Sequence, residues 1–221
     1  MGSDRIYRHF CMMARALEVI GERWSLLIVR DLLLGPRRFT DLARGLDEIT
    51  PTRLTGRLRQ LETAGIVVRD SSTGRGREVW YELTEAGRDL GPAIDALTLW
   101  GIEHVREPAL DEAVHPVPVM TGTKVWLNRY AAGIDGPLAW VWRFPDEDYY
   151  TLRLGDTGWE LSRGSAQNPA VTVVCAPRAW AQCLTTPRDA RVLPSADIEL
   201  EASRAEARSF AKAFAGKFDR D

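Results

Sequence analysis

The chain has 221 residues, 45% of them apolar and 27% charged, with 29 basic against 31 acidic side chains and a net charge of −2. That length predicts one or two domains, and the composition excludes disordered, collagen-like and membrane-bundle classes. No run approaches the roughly 20 apolar residues of a spanning helix. The start, Met-Gly-Ser-Asp-Arg, lacks the apolar stretch of a secretory signal, so a cytoplasmic protein with no membrane partner is expected.

Cys11, Cys175 and Cys183 show no C-x-x-C spacing and no paired histidines nearby, which argues against a disulfide framework and a zinc site. No metal or other cofactor is expected. The charge is unevenly spread. Residues 37–77 carry nine arginines and five acids, whereas from residue 107 onward 13 basic residues face 16 acidic ones. A local positive excess of this kind is the electrostatic footprint of a surface that meets phosphate.

In chain order, helices are predicted over 12–20 and 22–34, separated by Gly21. The second, ERWSLLIVRDLLL, is apolar on most of its circumference and so buried. Gly35-Pro36 stops it, 37–39 is extended, and Thr40 caps a short helix over 41–46. Thr50-Pro51 is a strong start signal, a capping hydroxyl followed by a proline whose missing N–H costs nothing there, and this helix ends at Ala64-Gly65. Strands over 66–70 and 78–83 flank the polar tip SSTGRGR. Thr84 opens a long helix to about Val105, bent at Gly91-Pro92, with Leu90, Ile94, Leu97 and Gly101 on one face. Prolines 108, 116 and 118 mark a linker over 107–119 between a domain of residues 1–106 and one of residues 120–221.

The second domain reads as α+β with an antiparallel sheet. Residues 138–144 put Trp140, Trp142 and Phe144 on one face, and Tyr150, Leu152 and Leu154 do the same in the next strand. An apolar strand over 170–176 precedes a helix begun by Pro177. A strand over 197–202 then leads to a last helix over 203–218, with Ala207, Phe210, Ala211 and Phe214 inward.

Residues 37–83 carry the functional signal. On the Thr50-Pro51 helix, Leu54, Leu58 and Leu61 share one side. Thr52, Arg53, Gly56, Arg59, Gln60 and Thr63 then point outward, with Thr55 and Arg57 on the flanks and no acid before Glu62. Arginine matches guanine and glutamine matches adenine in a major groove. Gly56 costs the helix about 1 kcal/mol but lets a DNA backbone approach closely. Arg75 and Arg77 at the hairpin tip are placed for a minor groove or phosphates. The same face also reads as a solvated surface, in a chain where 26 of 29 basic residues are arginine. Helix, tight turn, helix and hairpin in this order form a winged-helix arrangement.

Residues 11–101 resemble the HxlR family of winged-helix regulators, a branch close to the MarR-like repressors. The resemblance rests on Cys11, LEVIGERWSLLIVRDLLLGPRRFTDL (17–42), ITP-x-x-L-x-x-RL-x-x-L (49–61), AGIV-x-R (64–69), YELTEAG (81–87) and LWG (99–101). It implies a homodimeric transcription factor, a repressor, with one recognition helix per half-site of an inverted-repeat double-stranded DNA operator whose half-site centres lie roughly 10 bp apart. The DNA-facing set is then Arg37, Arg38, Thr50, Thr52, Arg53, Thr55, Arg57, Arg59, Gln60, Arg75 and Arg77. In some members the cysteine matching Cys11 senses oxidants. Here Met12 stands where the family commonly has proline, and Cys11 reads either as a redox sensor or as a buried structural thiol.

About 100 further residues set the chain apart from that family. They resemble the sterol carrier protein type 2-like fold on YYTLRLGDTGWELSRG, NPAVTVVCAPRAWAQCLTTPRDA and ADIELEAS. Such folds enclose an apolar tunnel. Trp126, Trp140, Trp142, Phe144, Trp159, Trp180, Phe210 and Phe214 either line a pocket for an apolar effector or fill a solid core. His9, His104 and His115 are scattered and no G-x-S-x-G or H-E-x-x-H occurs, so an enzyme is not expected. The alternative function is a carrier of hydrophobic ligands that uses its winged helix only to dimerise.

Overall fold

A computed structural model describes residues 10–70, 79–105, 111–131, 133–134, 138–145, 148–214 and 217–218. The chain divides into two compact units, one up to Ile94 and one from Asp95 onward.

The first unit runs α1 (Met12–Ile20), α2 (Ser25–Leu32), β1 (Arg37–Arg38), α3 (Phe39–Gly45), α4 (Pro51–Thr63), β2 (Val67–Asp70), β3 (Trp80–Leu83), α5 (Glu85–Arg88) and the start of α6 (Gly91–His104). Thr50 Oγ1 accepts the Arg53 backbone N–H at 3.3 Å ahead of Pro51, which is the start expected for α4. Three expectations are corrected. The segment 22–24 is a turn, so α2 begins at Ser25. The helix α3 begins at Phe39 with Arg38 at its N-cap, where the Asp41 carboxylate reaches back to accept the Arg38 backbone N–H at 3.2 Å, so Thr40 lies inside the first turn and does not cap it. The long helix after Thr84 is two helices: proline is tolerated only in a first turn, and Pro92 occupies the first turn of α6.

Ile28, Val29 and Leu32 of α2, Leu42 of α3, Leu54, Leu58 and Leu61 of α4, Val67 of β2 and Leu83 of β3 form one buried cluster. Each such side chain contributes roughly 1.5–3 kcal/mol of burial. The sheet order is β1-β3-β2, both pairings antiparallel, with Val67 opposite Leu83 and Asp70 opposite Trp80. Thr84 ties the base of this hairpin to the end of α4. Its Oγ1 donates to the Gly65 carbonyl at 2.6 Å and accepts the Gly87 N–H at 3.1 Å. At Gly87 an added Cβ would stand 2.3 Å from the Ile66 carbonyl oxygen, so only glycine fits this crossing.

The second unit contains α7 (Pro116–Tyr130), β4 (Leu138–Arg143), β5 (Tyr149–Gly155), β6 (Gly158–Arg163), β7 (Val171–Cys175), α8 (Pro177–Thr185), β8 (Val192–Leu193), β9 (Ile198–Glu201), α9 (Arg204–Phe214) and β10 (Lys217–Phe218). Residues 116–119, expected in the linker, form the first turn of α7; residues 107–110 lie outside the described residues. The last helix stops at Phe214 instead of Phe218, and Lys217–Phe218 pairs in parallel with β8.

The main sheet has the order β6-β5-β4-β7-β9 and is mixed, not antiparallel. The meander β4-β5-β6 is antiparallel, but residues 164–170 carry the chain back to the other side of β4, where β7 runs parallel to it. Trp140 pairs with Leu152 and Trp142 with Tyr150, the register expected from their alternation.

Candidate nucleic-acid interface

The helix α4 is held by one side only. Leu54, Leu58 and Leu61 are buried, while Thr52, Arg53, Gly56, Arg59, Gln60 and Thr63 are exposed and Thr55 is half-buried. Arg53 has no ion-pair partner among the described residues. Thr50 is exposed and spends its hydroxyl oxygen on the helix start. Among the described residues, no intramolecular contact therefore consumes the side-chain donors and acceptors of Arg53, Arg59 and Gln60.

Two of the expected contacts are placed differently. Arg37 is 7% exposed, because the β1–β3 pairing puts it opposite Tyr81 and turns it into the unit, so it leaves the outward-facing set. Arg57 is mostly buried, with its guanidinium 2.9 Å from the Glu22 carboxylate. Arg38 is exposed and lies over the Trp80 ring at 4.9 Å from its centroid, which anchors it to the hairpin. Arg75 and Arg77 lie outside the described residues.

Sequence reasoning missed the turn that precedes α2. Glu22, Arg23 and Trp24 join Arg53, Gly56, Arg57 and Gln60 of α4 in lining a groove of about 410 Å³. The signal lies in ERW, whose composition reads as the start of a helix; as a turn it presents both charges beside α4.

The HxlR-like helix-turn-helix family profile matches residues 19–108. The uncharacterised HTH-type transcriptional regulator YtcD of Bacillus subtilis is 39% identical over 89 residues, which cover 40% of this chain and 71% of that protein. The chain belongs to the HxlR-like helix-turn-helix family. An uncharacterised HTH-type transcriptional regulator of Mycobacterium tuberculosis is 47% identical over 96 residues, 43% of this chain, and the match spans 60% of that relative's length. Among solved structures, the redox regulator HypR in its oxidised form is 35% identical over 42% of this chain and 97% of its own, with a TM-score of 0.41. The HxlR-like match ends at residue 108, before α7 begins.

The aromatic residues of the second unit do not form one group. Trp140, Trp142, Trp159, Trp180, Phe210 and Phe214 are in mutual ring contact, with centroids 4.5 Å apart for Trp140–Trp159, 4.9 Å for Phe210–Phe214 and 5.3 Å for Trp142–Trp180. Thr123 Oγ1 accepts the Trp180 indole N–H at 2.7 Å. Phe144 packs against Tyr150 instead. Trp126 sits under the Arg191 guanidinium, 3.9 Å from its ring centroid, and donates its indole N–H to the Ala213 carbonyl at 3.3 Å.

Arg191 is itself buried. It donates to the carbonyls of Thr186 at 2.7 Å, Phe214 at 3.0 Å and Leu184. These oxygens belong to the ends of α8 and α9, where helical carbonyls lack an internal partner and carry negative partial charge. Burial pulls the Arg191 guanidinium below its ordinary pKa. A cavity of about 260 Å³ beside α8 is walled by Arg191, Asp197, Gln182, Thr186 and Cys183 among others.

Cys11 is half-buried at the N-cap of α1. Burial pushes the Cys175 thiol up to about 12 and the Cys183 thiol to about 11, so both stay protonated at neutral pH. Among the described residues, no group of three or more His, Cys, Asp and Glu side chains stands together to hold a metal, and no helix is long and apolar enough to cross a membrane.

Proposed function

We propose that the chain is a sequence-specific DNA-binding transcriptional regulator, a homodimeric repressor in which α4 of each copy enters the major groove of an operator half-site. One observation carries this reading: α4 is anchored by three buried leucines and turns Thr52, Arg53, Gly56, Arg59, Gln60 and Thr63 outward with no acid among them. Arginine and glutamine on such a face read guanine and adenine, and the hairpin β2–β3 flanks it as a wing. A homodimer is supported by exposed apolar side chains that a monomer would not keep in water. They are Phe10, Met12 and Met13 at α1, and Leu97 and Trp100 on α6.

The test is a gel shift with the DNA immediately upstream of the chain's own gene. Specific retardation that disappears in the Arg59→Ala, Gln60→Ala double variant supports the reading. Binding of a fluorescent fatty acid with no retardation of any duplex supports the carrier alternative.

For control of that activity, the second unit has a five-stranded mixed sheet with helices, and its interior is filled by touching aromatic rings. One space it offers an effector is the cavity beside α8, whose Gln182, Thr186 and Asp197 walls fit a polar small molecule better than an apolar one. Redox control through Cys11 is tested by comparing wild type and Cys11→Ser in the gel shift with hydrogen peroxide. Loss of retardation in the wild type alone supports it, and equal sensitivity of both refutes it.

A further inference from the structure

The groove beside α4 is not built like a hydrophobic ligand pocket. Its walls carry three guanidinium groups, those of Arg23, Arg53 and Arg57, against the single carboxylate of Glu22, together with the amide of Gln60 and the indole of Trp24. Arg23 is held over the Trp24 ring at 5.2 Å from its centroid. Its other neighbour is Glu48, at 3.6 Å, and that pair is so exposed, with both side chains at least three-quarters accessible, that it yields at little cost. Glu22 is spent on Arg57. Arg23 and Arg53 are thus the two cations lining this groove with a charge to give, and they come from different elements, the turn before α2 and the first turn of α4.

We propose that this groove seats a phosphodiester of the DNA backbone, with Arg23 and Arg53 closing on it from opposite walls and the Trp24 ring under the adjoining sugar, so that the 22–24 turn is a second DNA-contacting element beside α4. The inference rests on the DNA-binding reading above and extends its interface to residues outside the helix-turn-helix pair. A phosphate needs concentrated positive charge and donors that converge, and planar guanidinium groups supply both. Gly56 lies in the same wall, and an added Cβ there would meet nothing within 4 Å, so the backbone of α4 is open to the strand at that point. Glu22 sets the orientation: by holding Arg57 it keeps that guanidinium against α4, and it lowers the net charge of the groove from +3 to +2.

A phosphate-binding arginine has a signature that a base-reading one lacks. Its removal weakens binding to every sequence alike and reduces the salt dependence, by roughly 0.9 in the slope of log K against log salt for each phosphate no longer neutralised. The experiment is a salt titration of the full-length chain on two duplexes, the upstream DNA and a scrambled duplex of equal length. Wild type, Arg23→Ala, Arg23→Lys, Arg53→Ala and Gln60→Ala are compared.

Arg23→Ala should lower affinity on both duplexes by the same factor. Between 50 and 200 mM salt it should also weaken roughly three- to fourfold less than wild type. Arg23→Lys should restore the wild-type slope, because the charge returns, and Gln60→Ala should weaken only the upstream duplex. A wild-type slope in Arg23→Ala, alongside abolished binding in Arg53→Ala, would overturn the groove and leave the DNA-binding reading standing. Failure of the wild type to bind either duplex would remove that reading, and the groove with it. Arg23 is exposed, so the variant should fold, and a melting curve matching wild type confirms that the slopes compare like with like.

Discussion

Gly56 offers a perturbation whose two consequences have opposite signs. It lies near the middle of a 13-residue helix, on the exposed face, where glycine costs about 0.8–1.0 kcal/mol relative to alanine. Its Cβ direction is empty to 4 Å, so Gly56→Ala adds a methyl without a clash and should recover most of that amount. For a unit of this size the gain corresponds to a rise of roughly 4–8 °C in melting temperature. The same methyl stands in the wall between α4 and the 22–24 turn, where a DNA strand would lie against the helix backbone. Holding the helix off the duplex should cost about one specific contact, roughly 1–3 kcal/mol, or about a 5- to 150-fold loss of affinity. Circular dichroism melting and fluorescence anisotropy with a labelled upstream duplex read the two effects separately. A variant that melts higher and binds as tightly as wild type would refute the close approach at Gly56. One that melts no higher would refute the argument that glycine is what weakens α4.

Gly87→Ala is the counter-case: its methyl would meet the Ile66 carbonyl oxygen at 2.3 Å, so a loss of about 1–3 kcal/mol in stability is expected, and a melting temperature equal to wild type would contradict the described crossing. Arg191→Met should leave the carbonyls of Leu184, Thr186 and Phe214 without a donor. At about 1–3 kcal/mol for each buried acceptor left unpaired, partly relieved by water, a loss near 3–5 kcal/mol is expected in urea unfolding followed by tryptophan fluorescence; a change under about 0.5 kcal/mol would refute the double-cap role. Alkylation at neutral pH should spare Cys175 and Cys183, whose thiolate fractions are roughly 10⁻⁴ or below, while the half-buried Cys11 reacts. Because both pKa values are raised by burial, labelling of Cys183 should climb only as pH approaches 11. Peptide mass spectrometry that finds either residue labelled in the folded chain at neutral pH would sink this expectation.

The parts of the molecule legible in its sequence are those whose causes lie within one or two turns of chain. Thr50 and Pro51 start α4, the spacing of Leu54, Leu58 and Leu61 selects its buried side, and the alternation of Trp140 and Trp142 fixes their face. Each depends on a cap, a φ restriction or a period that neighbouring residues decide among themselves. Only the tertiary structure decided the fate of Arg37 and Arg57, because strand pairing with Tyr81 turns one inward and Glu22, 35 residues away, captures the other. The helix α7 was illegible for a related reason: it is buried around most of its circumference, with the hydroxyls of Thr121 and Thr123 satisfied by carbonyls one turn back, so it carries no amphipathic period to read. The parallel seating of β7 against β4 and the groove between the 22–24 turn and α4 likewise arise from contacts between distant segments, which local chemistry permits but does not choose.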